Sequence, residues 1–249
     1  KMFVSGSTGA GVAEYTLSTA FDVSTASHVD TLSVSAQDTY PKGHAFNSDG
    51  TKMFVVGLTG KDVNEYTLST GFDVSTASFV DSFSVSSQET APVGITFNTD
   101  GTKMFVIGHS GADVNEYTLS TGFDVSTASY DSSFSVSSQE RYPSSVTFSN
   151  DGKKMFVIGI NDDEVNEYSL STGFDVSTAS FVGNFSVSPG VPAPNCLAFN
   201  NDGTKMFVGD HLGKDINEYT LTTPFSIVDV SGEHSGDVID TNSTTNYDT

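Results

Sequence analysis

A period of 51 residues runs through the whole chain. Met2, Met53, Met104, Met155 and Met206 stand 51 apart. Tyr15, Tyr66, Tyr117, Tyr168 and Tyr219 keep the same step, as do Phe21, Phe72, Phe123, Phe174 and Phe225. Residues 52–102 and 103–153 are identical at 36 of 51 positions. Repeat units therefore begin near residues 1, 52, 103, 154 and 205. Self-similarity at such a period means a solenoid, a propeller or a domain array.

The unit reads as four β-strands. Gly94-Ile95-Thr96-Phe97-Asn98 alternates apolar and polar residues and runs into Thr99-Asp100-Gly101. Asp-Gly between two strand-like runs is the strongest short hairpin signal. The next run, Met104-Phe105-Val106-Ile107, is apolar on both parities, so its strand is covered on both faces. Val63 to Leu68 is rich in β-formers and ends at Ser69-Thr70-Gly71. A fourth strand spans Phe79 to Val85, with Phe79, Phe83 and Val85 expected on one side. No helical periodicity competes with this reading. Four antiparallel strands repeated five times predict an all-β fold, a five-bladed β-propeller over residues 1–240 followed by a polar tail, 241–249. A linear β-solenoid is the alternative.

Val146-Thr147-Phe148-Ser149-Asn150-Asp151-Gly152-Lys153-Lys154 resembles the F-S-x-D-G-K-K repeat of bacterial TolB-like and lactonase-like propellers, and the other copies fit as well. The resemblance spans all five units. It implies a propeller fold and leaves activity open, because such proteins include periplasmic scaffolds, lactone hydrolases and binding modules.

Closure poses a problem. With the strands of a blade labelled A (innermost) to D (outermost), the chain begins at Lys1-Met2-Phe3-Val4, which is strand B. Strand A has four copies, near 44–48, 95–99, 146–150 and 197–201, whereas strand B has five. Asp237-Val238-Ile239-Asp240 aligns with strand D of the last blade, and Thr241 to Thr249 is a poor inner strand. The expectation is a chain cut from a longer one, its missing inner strand before Lys1, from a ring of five or a six-bladed parent.

Comparing the copies locates the variable surface. Leu-Ser-Thr-Gly-Phe-Asp-Val-Ser-Thr-Ala-Ser is identical at 68–78, 119–129 and 170–180, in the C–D connection on the bottom face. The B–C and D–A connections, which share the top face, vary most. Function in a repeat scaffold concentrates on loops carried by rigid strands. The candidate ligand-binding residues there are Tyr40, Lys42, Lys61, His109, Arg141, Tyr142, Asn195 and His211. Pro41, Pro92, Pro143 and Pro194 stiffen the D–A loops beside them. Asp38, Glu89 and Glu140 share one column and are candidates for a carboxylate ring around the top opening, able to attract a cation or an amine. Free drift of unconstrained loops is the competing explanation.

The chemistry of catalysis has little support in the sequence. There is no Gly-x-Ser-x-Gly elbow. Cys196, the single cysteine, replaces Gly43, Gly94 and Ser145 of the other copies and reads as a small buried residue. The five His form no close pair, and the Asp-Gly turns lack the further ligands of a calcium loop, so neither a metal nor a cofactor is expected. Near-identical blades place acids in like environments, whereas a glycosidase needs unlike ones. The expectation is a non-catalytic binding or scaffold module that recognises glycans or a protein partner, lectin-like in its multivalency. A hydrolase of lactonase or glycosidase type is the alternative, and a structural spacer of a surface or phage-tail protein is another.

Thirty-one Asp and Glu against ten Lys and Arg give a net charge of −21. That balance opposes nucleic-acid partners and anionic membranes, and no apolar run is long enough to insert in a bilayer. It suits an extracellular, periplasmic or virion-surface setting in saline water. Seventeen of the acids fall in four repeat columns, so most of the charge was copied with the blade. Oligomeric state leaves no mark in the sequence.

Overall fold

The computed structural model describes residues 1–188 and 190–228. They form five antiparallel sheets arranged as the blades of a five-bladed β-propeller. Blade 1 holds β1 (Met2–Gly6), β2 (Gly11–Leu17) and β3 (Ala26–Ser33). Blade 2 holds β4 (Pro41–Phe46), β5 (Lys52–Gly57), β6 (Asp62–Leu68) and β7 (Ala77–Ser84). Blade 3 holds β8 (Pro92–Phe97), β9 (Lys103–Gly108), β10 (Asp113–Leu119) and β11 (Ala128–Ser135). Blade 4 holds β12 (Pro143–Phe148), β13 (Lys154–Gly159), β14 (Glu164–Leu170) and β15 (Ala179–Ser186). Blade 5 shows β16 (Pro194–Phe199), β17 (Lys205–Asp210) and β18 (Asp215–Thr220). The segments expected at 237–240 and 241–249 lie outside the described residues.

Three local devices shape each blade. The A–B turn is the expected Asp-Gly hairpin. Gly50, Gly101, Gly152 and Gly203 take φ between 68° and 73°, a region that favours glycine, and Asp49 accepts the Thr51 N–H at 2.9 Å. In the C–D connection a single 3₁₀ turn starts at Val23, Val74, Val125 and Val176, capped by Asp22, Asp73, Asp124 and Asp175, each accepting a Ser N–H at 3.1 Å. Strand D carries a β-bulge opposite Glu65 and Tyr66, repeated in blades 1, 3 and 4.

The bulge corrects the reading of strand D. Its extra residue reverses the side-chain alternation, so Phe79 and Phe83 face opposite sides. Phe79 packs edge-on against Tyr66 of its own blade, with centroids 5.8 Å apart, and is exposed at the rim. Phe83 packs against Tyr117 of the next blade at 5.6 Å. The prolines are also displaced from their expected place. Pro41, Pro92, Pro143 and Pro194 are the first residues of the inner strands, not loop residues, and all four are buried. The first position of a strand suits a residue without an N–H.

Blades are joined by a latch repeated around the ring. A Lys at the start of strand B pairs with a buried Glu of strand C, and both reach the C–D turn of the following blade. Lys52 Nζ donates to Glu65 at 2.7 Å and to the Phe123 carbonyl at 2.6 Å. The other oxygen of Glu65 accepts the Val125 N–H at 3.0 Å. The same set links blade 1 to blade 2, blade 3 to blade 4, and blade 4 to blade 5. Lys205, paired with Glu218 at 2.5 Å, donates to the carbonyl of Phe21 at 3.1 Å and so ties blade 5 back to blade 1. The ring closes in five.

The latched Phe residues all have positive φ, from 51° to 61°. A non-glycine residue bears strain of order 1 kcal/mol there. Packing offsets it. Phe123 donates its N–H to the Gly101 carbonyl at 3.0 Å, and its ring joins Phe54 and Phe97 in a triad with centroids 4.4 to 6.2 Å apart. Three further triads repeat this contact. At the junction of blades 5 and 1 the described residues place Phe207 and Phe21 alone, 6.4 Å apart, and Phe21 is 40% exposed. The third ring would belong to an inner strand of blade 1, and among the described residues no strand pairs with that edge of β1. Replacing Phe123 by Ala should cost about 3–5 kcal/mol in urea unfolding, the usual loss for a packed aromatic. Phe21→Ala should cost roughly half as much or less, because its ring is already part-solvated.

Candidate functional site

The top face is organised by buried carboxylates. Asp38, Glu89 and Glu140 are no more than 1% exposed. Each accepts backbone N–H groups of its own top loops. Asp38 takes those of Tyr40 at 2.6 Å and Gly60 at 2.9 Å. Glu89 takes those of Ala91 at 2.6 Å, Ser110 at 3.2 Å and Gly111 at 3.0 Å, and Glu140 takes that of Tyr142 at 2.7 Å. The geometry makes them loop-pinning groups, turned away from solvent. Burial pushes the Glu140 carboxyl above its usual range, and its second oxygen has no partner among the described residues.

Blade 5 keeps a carboxylate at this place by a different route. Strand B ends in Gly57, Gly108 and Gly159 where an acid stands on the D–A loop, because a Cβ there would collide with Asp38, Glu89 or Glu140. In blade 5 both positions change together. Val191 stands in place of the acid, and Asp210 in place of the glycine. Asp210 Oδ1 then accepts the N–H groups of Ala193 at 3.2 Å and Leu212 at 2.9 Å, which match Ala91 and Ser110 of blade 3. The carboxylate has moved from loop to strand and serves the same donors.

Above these groups lies a row drawn from three blades, with its two tyrosines exposed. Tyr40 and Tyr142 are 45% and 50% exposed. Lys42 Nζ sits 4.5 Å from the Tyr40 ring centroid, a cation–π contact. His109, on the B–C loop of blade 3, meets the Tyr142 ring edge-on at 6.0 Å. Its imidazole is half-buried and titrates below the ordinary range, first through desolvation and then through the Lys42 ammonium. Arg141 is exposed beside Tyr142. The structure thus brings together Tyr40, Lys42, His109 and Tyr142, with Arg141 at the margin. Lys61 is half-buried at positive φ, where its carbonyl accepts the Val85 N–H. Asn195 and His211 are exposed on blade 5. Lys42 and Asn195 stand on inner strands rather than in loops.

Two residues absent from the sequence-derived set form a further pair. Ser5 occupies the column of Val56, Ile107 and Ile158, and His44 that of Ile95, Val146 and Leu197. Ser5 Oγ donates to the Lys42 carbonyl and lies 3.2 Å from His44 Nδ1. Desolvation brings the His44 pKa down to about 4, so its ring is neutral at ordinary pH. Comparing strand columns, and not only loops, would have exposed this pair. Cys196 also departs from expectation: it is exposed. Among the described residues no three His, Cys, Asp or Glu side chains are placed to hold a metal ion.

Comparison with known proteins bears on the fold. No protein-family model matches the chain, and no curated protein matches it. Solved structures do. The chain is similar to a putative 6-phosphogluconolactonase from Bacteroides uniformis, with a TM-score of 0.56 and 14% identity, over 93% of this chain and 65% of that one. It is similar to a functionally unknown protein from Desulfotomaculum acetoxidans, with a TM-score of 0.55 and 18% identity, over 91% and 64%. The periplasmic gluconolactonase PpgL of Pseudomonas aeruginosa gives a TM-score of 0.51 and 15% identity, over 92% and 62%. The chain therefore spans a little under two thirds of the structures it matches. At these identities the likeness to lactonase-like propellers is one of fold.

The carboxylate exchange makes a sharp prediction. Asp210→Gly should lower stability by about 1–3 kcal/mol, the usual cost of leaving buried donors unpaired. Adding Val191→Glu should restore most of it, since that pair recreates blades 3 and 4. Urea unfolding of the two variants measures the rescue.

Proposed function

We propose that the protein is a non-catalytic binding or scaffold module, with a glycan or protein ligand held on its top face. The observation that supports this most is the row Tyr40, Lys42, His109, Tyr142. Two exposed aromatic rings, two cations counting Arg141, and a half-buried imidazole share this part of the top face. Aromatic faces stack on the apolar side of a sugar ring or on a side chain, while the cations supply hydrogen bonds. The carboxylates beneath are engaged by backbone N–H groups, so they rigidify the platform and leave its surface chemistry aromatic and cationic. In a chain of net charge −21 a local cationic row favours an acidic or polyhydroxylated ligand. An extracellular, periplasmic or virion-surface location is consistent with this reading.

The second reading is a hydrolase. Its supports are the fold likeness to proteins named as gluconolactonases and the Ser5–His44 contact. The Ser5 hydroxyl, however, is donated to a backbone carbonyl, which leaves His44 in no position to take its proton.

A glycan array with the wild type and a Tyr40→Ala/Tyr142→Ala variant separates the readings. The binding reading expects a defined set of ligands, lost by tenfold or more in the variant while the melting temperature holds. Equal binding by both proteins would remove the platform from consideration. Turnover of a δ-lactone or ester that disappears in Ser5→Ala would establish the hydrolase instead.

A further inference from the structure

A cleft of about 210 Å³ opens on the bottom face between blades 2 and 3. Ala45, Phe46 and Ser48 line it from the end of β4 and the turn that follows. Phe97 and Thr99 line it from the same places on blade 3. Phe123, the latched ring of blade 3, lines it as well. The three phenylalanines are half-buried, and Ser48 and Thr99 are exposed. The cleft is made wholly by blades 2 and 3, each of which has its four strands in place.

The repeat explains why the opening is here. Ala45 packs, with Phe97 and Phe123, against the core shared by blades 2 and 3. At the next two junctions the bulkier Thr96 and Thr147 take its place. Ser48 aligns with Asn150, which reaches from blade 4 to blade 5, its Nδ2 donating to the Asn201 carbonyl at 2.8 Å. Short side chains at both positions leave the junction of blades 2 and 3 open. The charge at its mouth is one-sided. Ser48, Thr99 and Phe123 are each followed by an aspartate, Asp49, Asp100 and Asp124. Asp49 and Asp100 are exposed. The hydroxyl and then the N–H of Thr51 hold the Asp49 carboxyl below its usual range, and Thr102 does the same for Asp100, so both are ionised at ordinary pH. The cation that reaches this corner is Lys52, at the Phe123 carbonyl, and it is already paired with Glu65.

We propose that this cleft binds a small organic ammonium ion, a molecule with one apolar ring and a protonated amine. Its size sets the ring count. Pockets for drug-sized ligands run to about 300–1,000 Å³, so a cleft of about 210 Å³ holds little more than one ring. The half-buried phenyl groups and Ala45 take the apolar part. Positive charge is favoured twice, by the aromatic rings and by the aspartates at the mouth. An anion of the same shape would meet those aspartates with the nearby lysine already spent. The cleft lies on the face opposite Tyr40 and Tyr142 and is independent of the function proposed for them.

The full chain is titrated with benzylammonium, benzyl alcohol and benzoate, probes of one shape and different charge, and the backbone amide NMR shifts of residues 45–48 and 97–99 are followed. Those shifts separate this cleft from any binding on the top face. Benzylammonium should saturate them at millimolar concentration, the range that so few atoms can reach. Benzyl alcohol should bind about fivefold more weakly, and benzoate more weakly again. Ala45→Thr, which copies blade 3, should weaken benzylammonium by roughly tenfold or more at an unchanged melting temperature. Ser48→Asn, which copies blade 4, obstructs the mouth independently and serves if the first variant fails to fold. No saturable shift at tens of millimolar overturns the site, and so does binding that persists at full strength in the folded variants. Equal affinity for the three probes overturns the ammonium specificity.

Discussion

The ring depends on a lysine–glutamate pair that is spent on the neighbouring blade. In isolation the pair has little worth, since an exposed ion pair contributes at most about 1 kcal/mol. Here the Glu is buried, and its second oxygen is taken by an N–H of the next C–D turn, as between Glu65 and Val125. The Lys in turn donates to the carbonyl of a Phe held at positive φ. Charge, turn geometry and aromatic packing therefore form one unit, and losing any part strains the others. Because the unit spans two blades, its fivefold repetition with a fixed rotation closes the ring.

The same logic accounts for most of the negative charge. One acid column makes the latch, a second caps the 3₁₀ turns, and a third pins the Asp-Gly hairpins. The fourth, Asp62, Asp113 and Asp215, accepts the amide of a buried Asn two residues on. Blade 4 shows what a single methylene does to that column. Glu164 reaches past Asn166 to Asn184 on strand D, and the Asn166 side chain is left without a partner among the described residues. A chain of −21 thus places much of its charge in turns and blade junctions, where it serves the architecture.

Much of this was legible in sequence. The period gave blade number, and Asp-Gly gave the A–B turns, because both signals are local and copied with the unit. The strand-A deficit was plain from counting columns. The bulge in strand D was hidden, since one extra residue at Val80 leaves no compositional trace yet reverses the side chains around Phe79. The burial of Asp38, Glu89 and Glu140 was hidden too. It depends on glycines 19 residues away that make room for them, and the link surfaces only in blade 5, where both positions switch. Tyr40, Lys42, His109 and Tyr142 were found through loop variability, but their convergence needed the ring. Ser5 and His44 were overlooked because strand positions were read as core.

Closure in five is carried by the last latch, between blades 5 and 1. Lys205 and Lys103 make the same pair with the Glu of their own strand C, but only a closed ring gives Lys205 the Phe21 carbonyl of blade 1. Lys103→Met and Lys205→Met should be compared by urea unfolding. A closed ring predicts losses of the same order, about 2–3 kcal/mol for Lys103→Met and somewhat less for Lys205→Met, whose neighbouring Glu218 is less deeply buried. A Lys205→Met variant within about 0.5 kcal/mol of the wild type, beside a clear loss for Lys103→Met, would be the behaviour of an open arc and would contradict the account.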